Sequence, residues 1–191
     1  MPAAAWRMWS LADDGTRPLE LWQLRYPEAW PHIVVPVCRR WGFDPLLAWA
    51  IMKQESAFQP ACYSTAGARG LIQMIPSTSE YVARENGWGG YSPDRLYRPE
   101  VSLEYGIAYL SGVAADLGHL HVTLAGYNGG PHNAARWGAG EVSPEMFFSR
   151  ITYNETKRYT EIVAHNYDVY RAIYPQRSME MACCPNWSRA F

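Results

Sequence analysis

The chain has 191 residues, of which 48% are hydrophobic and 14% aromatic, and its 17 basic and 18 acidic residues give a formal net charge of −1. This length suits one domain with its own core, and the charged fraction of 18% is too low for a disordered chain. A nearly neutral chain lacks the basic patch that captures nucleic acid, and no apolar run reaches the length of a membrane span, so neither nucleic acid nor a transmembrane segment is predicted.

Helical patterns dominate the sequence, and no stretch alternates apolar and polar residues for long enough to indicate a strand, so we predict an all-α fold. A short helix is expected to open at Leu19 and to end near residues 25–27. A second helix follows, and we expect Pro31 and Pro36 to break it, because proline removes a backbone donor and clashes with the preceding turn.

The third predicted helix, DPLLAWAIMKQES, has Asp44 as its N-cap and Pro45 in its first turn. Its last turn carries Glu55, and a loop rich in small residues, ACYSTAGARGLIQMIP, begins shortly afterwards. An acidic side chain at this end of a helix meets the negative pole of the helix dipole and gains no help in staying ionised. We therefore expect a raised pKa for Glu55.

The second half of the chain is also predicted to be helical. We expect a helix over residues 76–87, an irregular loop over residues 87–98 and a long helix that ends at Gly118. A short helix should then break at residues 128–131 before another short helix begins. Asn154 is expected to cap the last long helix, ETKRYTEIVAHNYDVYRAIY.

Motifs for metals, nucleotides and nucleophilic serine hydrolases do not occur in this sequence. It contains no HExxH pair, no EF-hand loop, no Walker loop and no GxSxG turn, and its five histidines are scattered. We therefore predict no metal and no cofactor. A glutamate followed by amide and aromatic groups is typical instead of a site that cleaves sugars, where burial keeps a carboxylic acid protonated near neutral pH.

Four short segments point to a particular family. They are ES at residues 55–56, GLIQMIP at 70–76, AGYNGGP at 125–131 and ETKRY at 155–159. In order and spacing they resemble the motifs of the soluble lytic transglycosylases, and the likeness extends over about residues 25–174. The resemblance implies a lysozyme-like domain that cleaves the β-1,4 bond between N-acetylmuramic acid and N-acetylglucosamine in peptidoglycan and leaves a 1,6-anhydro end.

The resemblance also assigns residues to roles. It makes Glu55 the single catalytic acid and places Ser64, Gln73, Tyr127 and Asn128 in substrate binding. We expect the amides of Gln73 and Asn128 to donate to acetamido carbonyls of the sugar. The hydroxyl of Tyr127 is expected to hold either a reacting carbonyl or the glutamate.

The fourth motif is less clear than the other three. Glu155 is interpreted either as a charge that favours the start of its helix or as a contact to the peptide of the substrate. Lys157 stands where the family usually has arginine, which would lose a bidentate contact to a carboxylate. Ile72 and Ile75 replace common methionines, an apolar exchange that the fold should tolerate.

Two alternatives stay open at this point. The first is a muramidase that admits water, as goose-type lysozymes do, and the second is a peptidoglycan-binding module without catalytic activity. A second carboxylate across the groove would favour hydrolysis. We interpret Asp94, Glu100 and Glu141 as surface charges.

We divide the chain into an N-terminal arm over residues 1–17, a catalytic domain over 18–175 and a C-terminal tail over 176–191. The resemblance implies peptidoglycan glycan strands as the partner, allows further partners in an envelope assembly, and implies a periplasmic or cell-envelope location although no signal peptide is recognised. No oligomeric state is predicted. Of the four cysteines, Cys38 and Cys62 could pair if the fold brings them within reach, whereas bonding between adjacent cysteines, as at residues 183–184, would be strained.

Overall fold

The structure is a computed structural model, and it describes residues 19–139 and 143–180. The predicted arm at residues 1–17, Glu141 and the cysteines at residues 183–184 lie outside these ranges. Within them the backbone is mostly helical, and its extended pairing is limited to isolated bridges, which confirms the all-α prediction. The helices are α1 (Leu19–Arg25), α2 (Pro31–Trp41), α3 (Pro45–Ser56), α4 (Pro76–Glu85), α5 (Pro99–Leu117), α6 (Leu120–Gly129), α7 (Pro131–Trp137), α8 (Pro144–Arg150), α9 (Asn154–Ile173) and α10 (Pro175–Glu180), with a 3₁₀ helix at Pro93–Tyr97.

The prediction that two prolines break the second helix was wrong. Pro31 is the first residue of α2, where a missing backbone N–H costs nothing because that group has no partner within the helix. Pro36 lies inside α2 on its exposed face, and so does His32, whose carbonyl loses its helical donor. Because water can reach that carbonyl, the helix continues.

Other boundaries differ from the expectations in smaller ways. Asn154 is the first residue of α9 and not its cap, and Tyr153 before it makes no capping hydrogen bond through its side chain. Five residues of the expected irregular loop, Pro93–Tyr97, form the 3₁₀ helix. Helices α8 and α10 carry no clear apolar period and were not predicted.

Helix α3 forms the centre of the core. All residues from Pro45 to Met52 are buried, so this helix is surrounded by protein for most of its length. It packs antiparallel against α9, since Asp44 at its start contacts Tyr167 late in α9 and Glu55 at its end faces Tyr159 early in α9. The last turn of α3 emerges from the core, and there the side chain of Glu55 is only partly covered.

A second, smaller core lies beneath α6, α7 and α8, and its buried members are Val122, Ala125, Ala134, Trp137, Phe147 and Ile151. Cys38 lies in the main core and Cys62 in the loop after α3, and no disulfide joins these two residues. Across the described ranges, none of the helices has the length and apolar character that crossing a membrane requires.

Candidate active site

The end of α3 is held in an unusual backbone conformation. The chain leaves the helix through Ala57 and Phe58, whose φ angles are 47° and 66°. Residues other than glycine rarely adopt this left-handed region, and such strain is concentrated at functional sites in proteins. Gln73, at the other end of the following loop, has a φ of 52°. Residues in this strained conformation therefore stand at both ends of the loop that follows Glu55.

The carboxyl group of Glu55 is poorly solvated. Burial raises the pKa of Glu55 to about 7, an effect that the facing hydroxyl of Tyr159 opposes and the negative charge of Glu155 increases. The Tyr159 hydroxyl is buried and has no well-formed hydrogen bond among the described residues, although it faces Glu55 and lowers the pKa of that carboxyl group. The Glu55 carboxyl group can therefore exchange its proton near neutral pH.

Two tyrosine hydroxyls border this carboxyl group. Burial raises the pKa of Tyr127 and of Tyr159 well above the usual value, and the neighbouring charge of Glu55 adds to both shifts. Tyr127 donates its hydroxyl to the carbonyl of Ile72 at 2.6 Å. The ring of Tyr109 lies beside that of Tyr127, with 6.0 Å between the ring centroids. Both Tyr127 and Tyr159 consequently remain neutral while Glu55 titrates.

The GLIQ segment is where three helices meet. The Ser56 hydroxyl of α3 donates to the carbonyl of Leu71 at 2.9 Å, and Tyr127 of α6 donates to the next carbonyl. The backbone N–H of Ile72 donates to the hydroxyl of Ser102 in α5 at 3.3 Å. Two adjacent residues thus receive a polar contact from each of the helices α3, α5 and α6. The motif has a structural function that the sequence analysis did not predict.

Glycine is required where the GLIQ segment meets its neighbours. Gly70 has a φ of +81°, and a Cβ atom there would lie 2.0 Å from the carbonyl oxygen of Leu96. Gly106 in α5 allows Ile72 to approach, since a Cβ atom would lie 2.5 Å from a methyl carbon of that side chain. Both glycines therefore fix the distance between the loop and the helices beneath it.

Ser64 organises the loop between α3 and α4. Its hydroxyl oxygen accepts from the backbone N–H of Ala68 at 3.0 Å, and its own N–H donates to the Ala68 carbonyl at 3.0 Å. Because the hydroxyl acts here as an acceptor, its hydrogen remains available to a ligand. The thiol of Cys62 lies 3.9 Å from the carbonyl oxygen of Glu55, which brings this strand of the loop against the end of α3.

The expected donor role of Gln73 needs correction. Its side-chain nitrogen donates to the carbonyls of Cys62 at 3.0 Å and Gly70 at 2.8 Å. Both amide hydrogens are used within the loop, because each backbone carbonyl can only accept. Gln73 therefore links two parts of the same loop, and only its amide oxygen is left for a ligand.

Asn128 fits the expectation for a donor more closely. Its amide oxygen accepts from the hydroxyl of Thr156 in α9 at 2.7 Å, which directs the amide nitrogen away from that contact. This nitrogen donates to none of the described residues, and the side chain is partly exposed. Gly129 leaves room for the pairing, since a Cβ atom there would lie 2.9 Å from the same hydroxyl.

The remaining acidic candidates lie at the surface. Glu155 is exposed in the first turn of α9, yet its charge reaches Glu55. Asp94 has 80% of its side chain exposed and pairs with Arg69 at 3.2 Å. Glu100 is also exposed. In residues 19–139 and 143–180 no cluster of three or more histidine, cysteine, aspartate or glutamate side chains could hold a metal ion.

Sequence reasoning missed Tyr159 and Thr156 as parts of the site. Both belong to the ETKRY segment, which was noticed as a motif but in which only the glutamate received a role. Tyr159 follows Glu155 by four residues, a spacing that places the two on one face of a helix. That spacing was the available signal, whereas the pairing of Thr156 with Asn128 depends on how α6 and α9 pack.

Comparisons with known proteins identify related sequences. The family model described as the transglycosylase SLT domain matches residues 38–146. The soluble lytic murein transglycosylase of Escherichia coli K12 is 29% identical over 191 residues, covering 96% of this chain and 30% of that protein.

Two solved structures have the same fold. The 70-kDa soluble lytic transglycosylase of Escherichia coli superposes with a TM-score of 0.77 at 28% identity, covering 89% of this chain and 28% of that one. An inactive glutamate-to-glutamine mutant of the lytic transglycosylase Slt from Pseudomonas aeruginosa gives a TM-score of 0.73 at 28% identity, covering 87% of this chain and 27% of that one. This chain spans about 30% of the length of these relatives.

Proposed function

We propose, on the premise that this chain belongs to the transglycosylase SLT domain family, that it is a peptidoglycan lytic transglycosylase. Its substrate is the β-1,4 bond between N-acetylmuramic acid and N-acetylglucosamine, and its product carries a 1,6-anhydromuramyl end. The observation that supports this most strongly is the carboxyl group of Glu55, whose pKa of about 7 allows it both to give and to take a proton near neutral pH.

In the first step Glu55 acts as the acid. Its proton passes to the glycosidic oxygen as the bond from that oxygen to C1 of the muramyl sugar breaks. The oxygen of the muramyl 2-acetamido group forms a bond to C1 and stabilises the positive charge in an oxazolinium intermediate. Asn128 has a free amide donor and Ser64 a free hydroxyl hydrogen with which to orient that acetamido group.

In the second step Glu55, now a carboxylate, acts as the base. It takes the proton of the muramyl C6 hydroxyl while O6 bonds to C1 and the oxazolinium oxygen leaves, which restores the acetamido group. The carboxyl group regains its proton, so the cycle consumes no water. An internal hydroxyl reacts with a high effective concentration, which favours ring closure over attack by water.

The surroundings of Glu55 support this route over hydrolysis. Hydrolytic glycosidases generally place a second carboxylate across the scissile bond as nucleophile or as base for water. The hydroxyls beside Glu55 belong to Tyr127 and Tyr159, whose raised pKa values prevent them from serving as bases near neutral pH. The carboxylate whose charge raises the pKa of Glu55 is that of Glu155, which is exposed at the surface. Glu155, an exposed side chain in the first turn of α9, is assigned to the peptide of the substrate.

The location and partners are proposed on the same basis. Peptidoglycan glycan strands are the partner that this reaction requires, and the periplasm or cell envelope is the compartment in which they occur. We also keep the proposed division into an arm over residues 1–17, a catalytic domain over 18–175 and a tail over 176–191. Ser64, Asn128 and the amide oxygen of Gln73 are the proposed contacts to the sugar.

Product analysis tests the reaction. Purified sacculi are digested with the protein and, in parallel, with Glu55→Gln and with Glu161→Gln, a matched control at an exposed position of α9. We expect soluble muropeptides that are lighter than hydrated ones by one water and inert to borohydride, formed by the unchanged protein and the control but not by Glu55→Gln. Reducible, hydrated fragments would show a muramidase, and no fragments from the unchanged protein would leave a binding module.

A further inference from the structure

The loop between α3 and α4 has an inner and an outer face. Antiparallel backbone bridges pair Tyr63 with Arg69 and Arg69 with Met74. Cys62, next to Tyr63, lies against the backbone carbonyl of Glu55, and we call this side of the loop the inner face. The Arg69 side chain instead contacts Asp94 and Tyr97 of the 3₁₀ helix, and we call that side the outer face.

On the outer face Arg69 contacts the 3₁₀ helix. Its Nη1 atom lies 3.2 Å from Oδ1 of Asp94, and its guanidinium carbon lies 6.0 Å from the ring centroid of Tyr97. The ring of Tyr63 is on another side, with its centroid 5.7 Å away. The Arg69 side chain is only 21% exposed. The guanidinium thus links two tyrosines, one from the loop and one from the 3₁₀ helix.

Stability alone does not account for arginine at this position. An ion pair to a carboxylate that is 80% exposed contributes little to folding. The Nε atom of Arg69 is buried and finds no acceptor among the described residues, which is destabilising. Features of this kind are tolerated where function requires a particular geometry.

The residue after Arg69 makes the same connection through its backbone. Gly70 lies so close to the 3₁₀ helix that any side chain would collide with the carbonyl of Leu96. Two successive loop residues are therefore fixed on Pro93–Tyr97. The other strand of the loop carries Ser64, whose hydroxyl accepts from Ala68 directly before Arg69.

We propose that Arg69 is a positioning residue for the reaction proposed above: it fastens the loop to the 3₁₀ helix and, through the neighbouring backbone of Ala68, holds Ser64 in place. This role rests on the proposed function. Arg69 acts through Tyr63, Tyr97 and the loop backbone and does not touch the substrate.

Turnover with chemical rescue tests the role. At a temperature where all proteins are fully folded, we expect Arg69→Ala to lower kcat about tenfold, because misplaced groups lose catalysis while binding persists. KM should change much less. Millimolar guanidinium chloride, which can occupy the vacated space between the two rings, should restore part of the activity, whereas sodium chloride at the same ionic strength should not.

A matched arginine provides the control. Arg177 of α10 has a similar exposure of 25%, its Nε lies 2.7 Å from a carboxylate oxygen of Glu28, and it is far along the chain from the loop. Arg177→Ala should lower the melting temperature without lowering kcat, and guanidinium should have no effect on it. Equal losses of kcat in both variants, or a loss in Arg69→Ala that guanidinium does not reverse, would contradict the positioning role.

Hydrogen exchange supplies a measurement that does not depend on activity. The amides of Ala68 and Gly70 donate to the Ser64 hydroxyl and the Cys62 carbonyl, each at 3.0 Å. In Arg69→Ala these two amides should exchange faster while those of α3 keep their protection. Unchanged exchange in the loop would overturn the inference, whereas failure of the unchanged protein to cleave peptidoglycan would overturn the proposed function and leave the exchange result interpretable.

Discussion

Helix α3 has a poorly solvated carboxylate at each end, and the two have different surroundings. Asp44 precedes the first turn, where the positive pole of the helix favours an anion, and it accepts from the backbone of Leu46 at 2.8 Å and from the hydroxyl of Tyr167. Glu55 lies in the last turn, near the negative pole, and the hydroxyl of Tyr159 that faces it makes no well-formed hydrogen bond.

The two ends of α3 therefore have different roles, a structural one at Asp44 and a chemical one at Glu55. Burial raises the pKa of both groups, but hydrogen bonds from Tyr167 and from the Leu46 backbone oppose the effect at Asp44. At Glu55 burial dominates, and the pKa reaches about 7. Asp44, with two well-formed hydrogen bonds, fastens α3 to α9, whereas Glu55, with a weaker donor in Tyr159, can exchange its proton near neutral pH.

The largest expected effect comes from removing the reactive carboxyl group. Glu55→Gln keeps the size of the side chain but can neither give nor take the proton, so we expect turnover to fall by about 10³-fold or more. The variant should remain folded, since the change removes a poorly solvated acid. Release of soluble muropeptides measures turnover, and circular dichroism checks the fold. More than about a tenth of the original turnover would be incompatible with Glu55 as the acid.

A change at Asp44, at the other end of α3, should lower the stability of the fold. Asp44→Ala removes the cap of α3 and leaves the buried hydroxyl of Tyr167 without its acceptor, so we expect the free energy of unfolding to fall by about 3 kcal/mol. Urea unfolding measures this loss. At urea concentrations too low to unfold it, the variant should keep most of its turnover. A variant as stable as the original protein would show that Asp44 does not anchor the helix pair.

The pH dependence of the rate should show a smaller effect, which distinguishes the influence of Tyr159 on Glu55 from that of Glu155. The reaction needs the protonated acid, so the rate should fall as pH rises through about 7. The Tyr159 hydroxyl lowers the pKa of Glu55, so Tyr159→Phe should move this alkaline limb to higher pH. The charge of Glu155 raises the pKa of Glu55, so Glu155→Gln should move the alkaline limb to lower pH.

Salt provides the control for these two shifts. Glu155 is exposed, so its influence should fade at high ionic strength, whereas that of the buried Tyr159 should persist. Rate profiles against pH at two salt concentrations measure both effects. Shifts of the same sign in the two variants would contradict the assigned neighbours of Glu55.

Local rules in the sequence predicted α3 well, because Asp44, Pro45 and the small residues after the helix each carry a signal of their own. They failed at Pro36, where exposure of the broken hydrogen bond decides whether a helix continues. The donors of Gln73 could not be predicted either, since their use depends on loop carbonyls that only the folded backbone brings near. Tyr159 was overlooked because its partner, Glu55, lies on another helix.

Direct titration of the Glu55 carboxyl group tests whether it carries a proton near neutral pH. Carbon NMR of protein labelled at the glutamate side-chain carboxyl, with Glu55→Gln to assign the signal, follows its protonation across pH. We expect a midpoint near 7 for this one signal, because burial at the end of α3 raises the pKa of Glu55. A midpoint near 4.5, the ordinary value for glutamate, would show a solvated charge at the helix end and would be incompatible with Glu55 as an acid that is protonated near neutral pH.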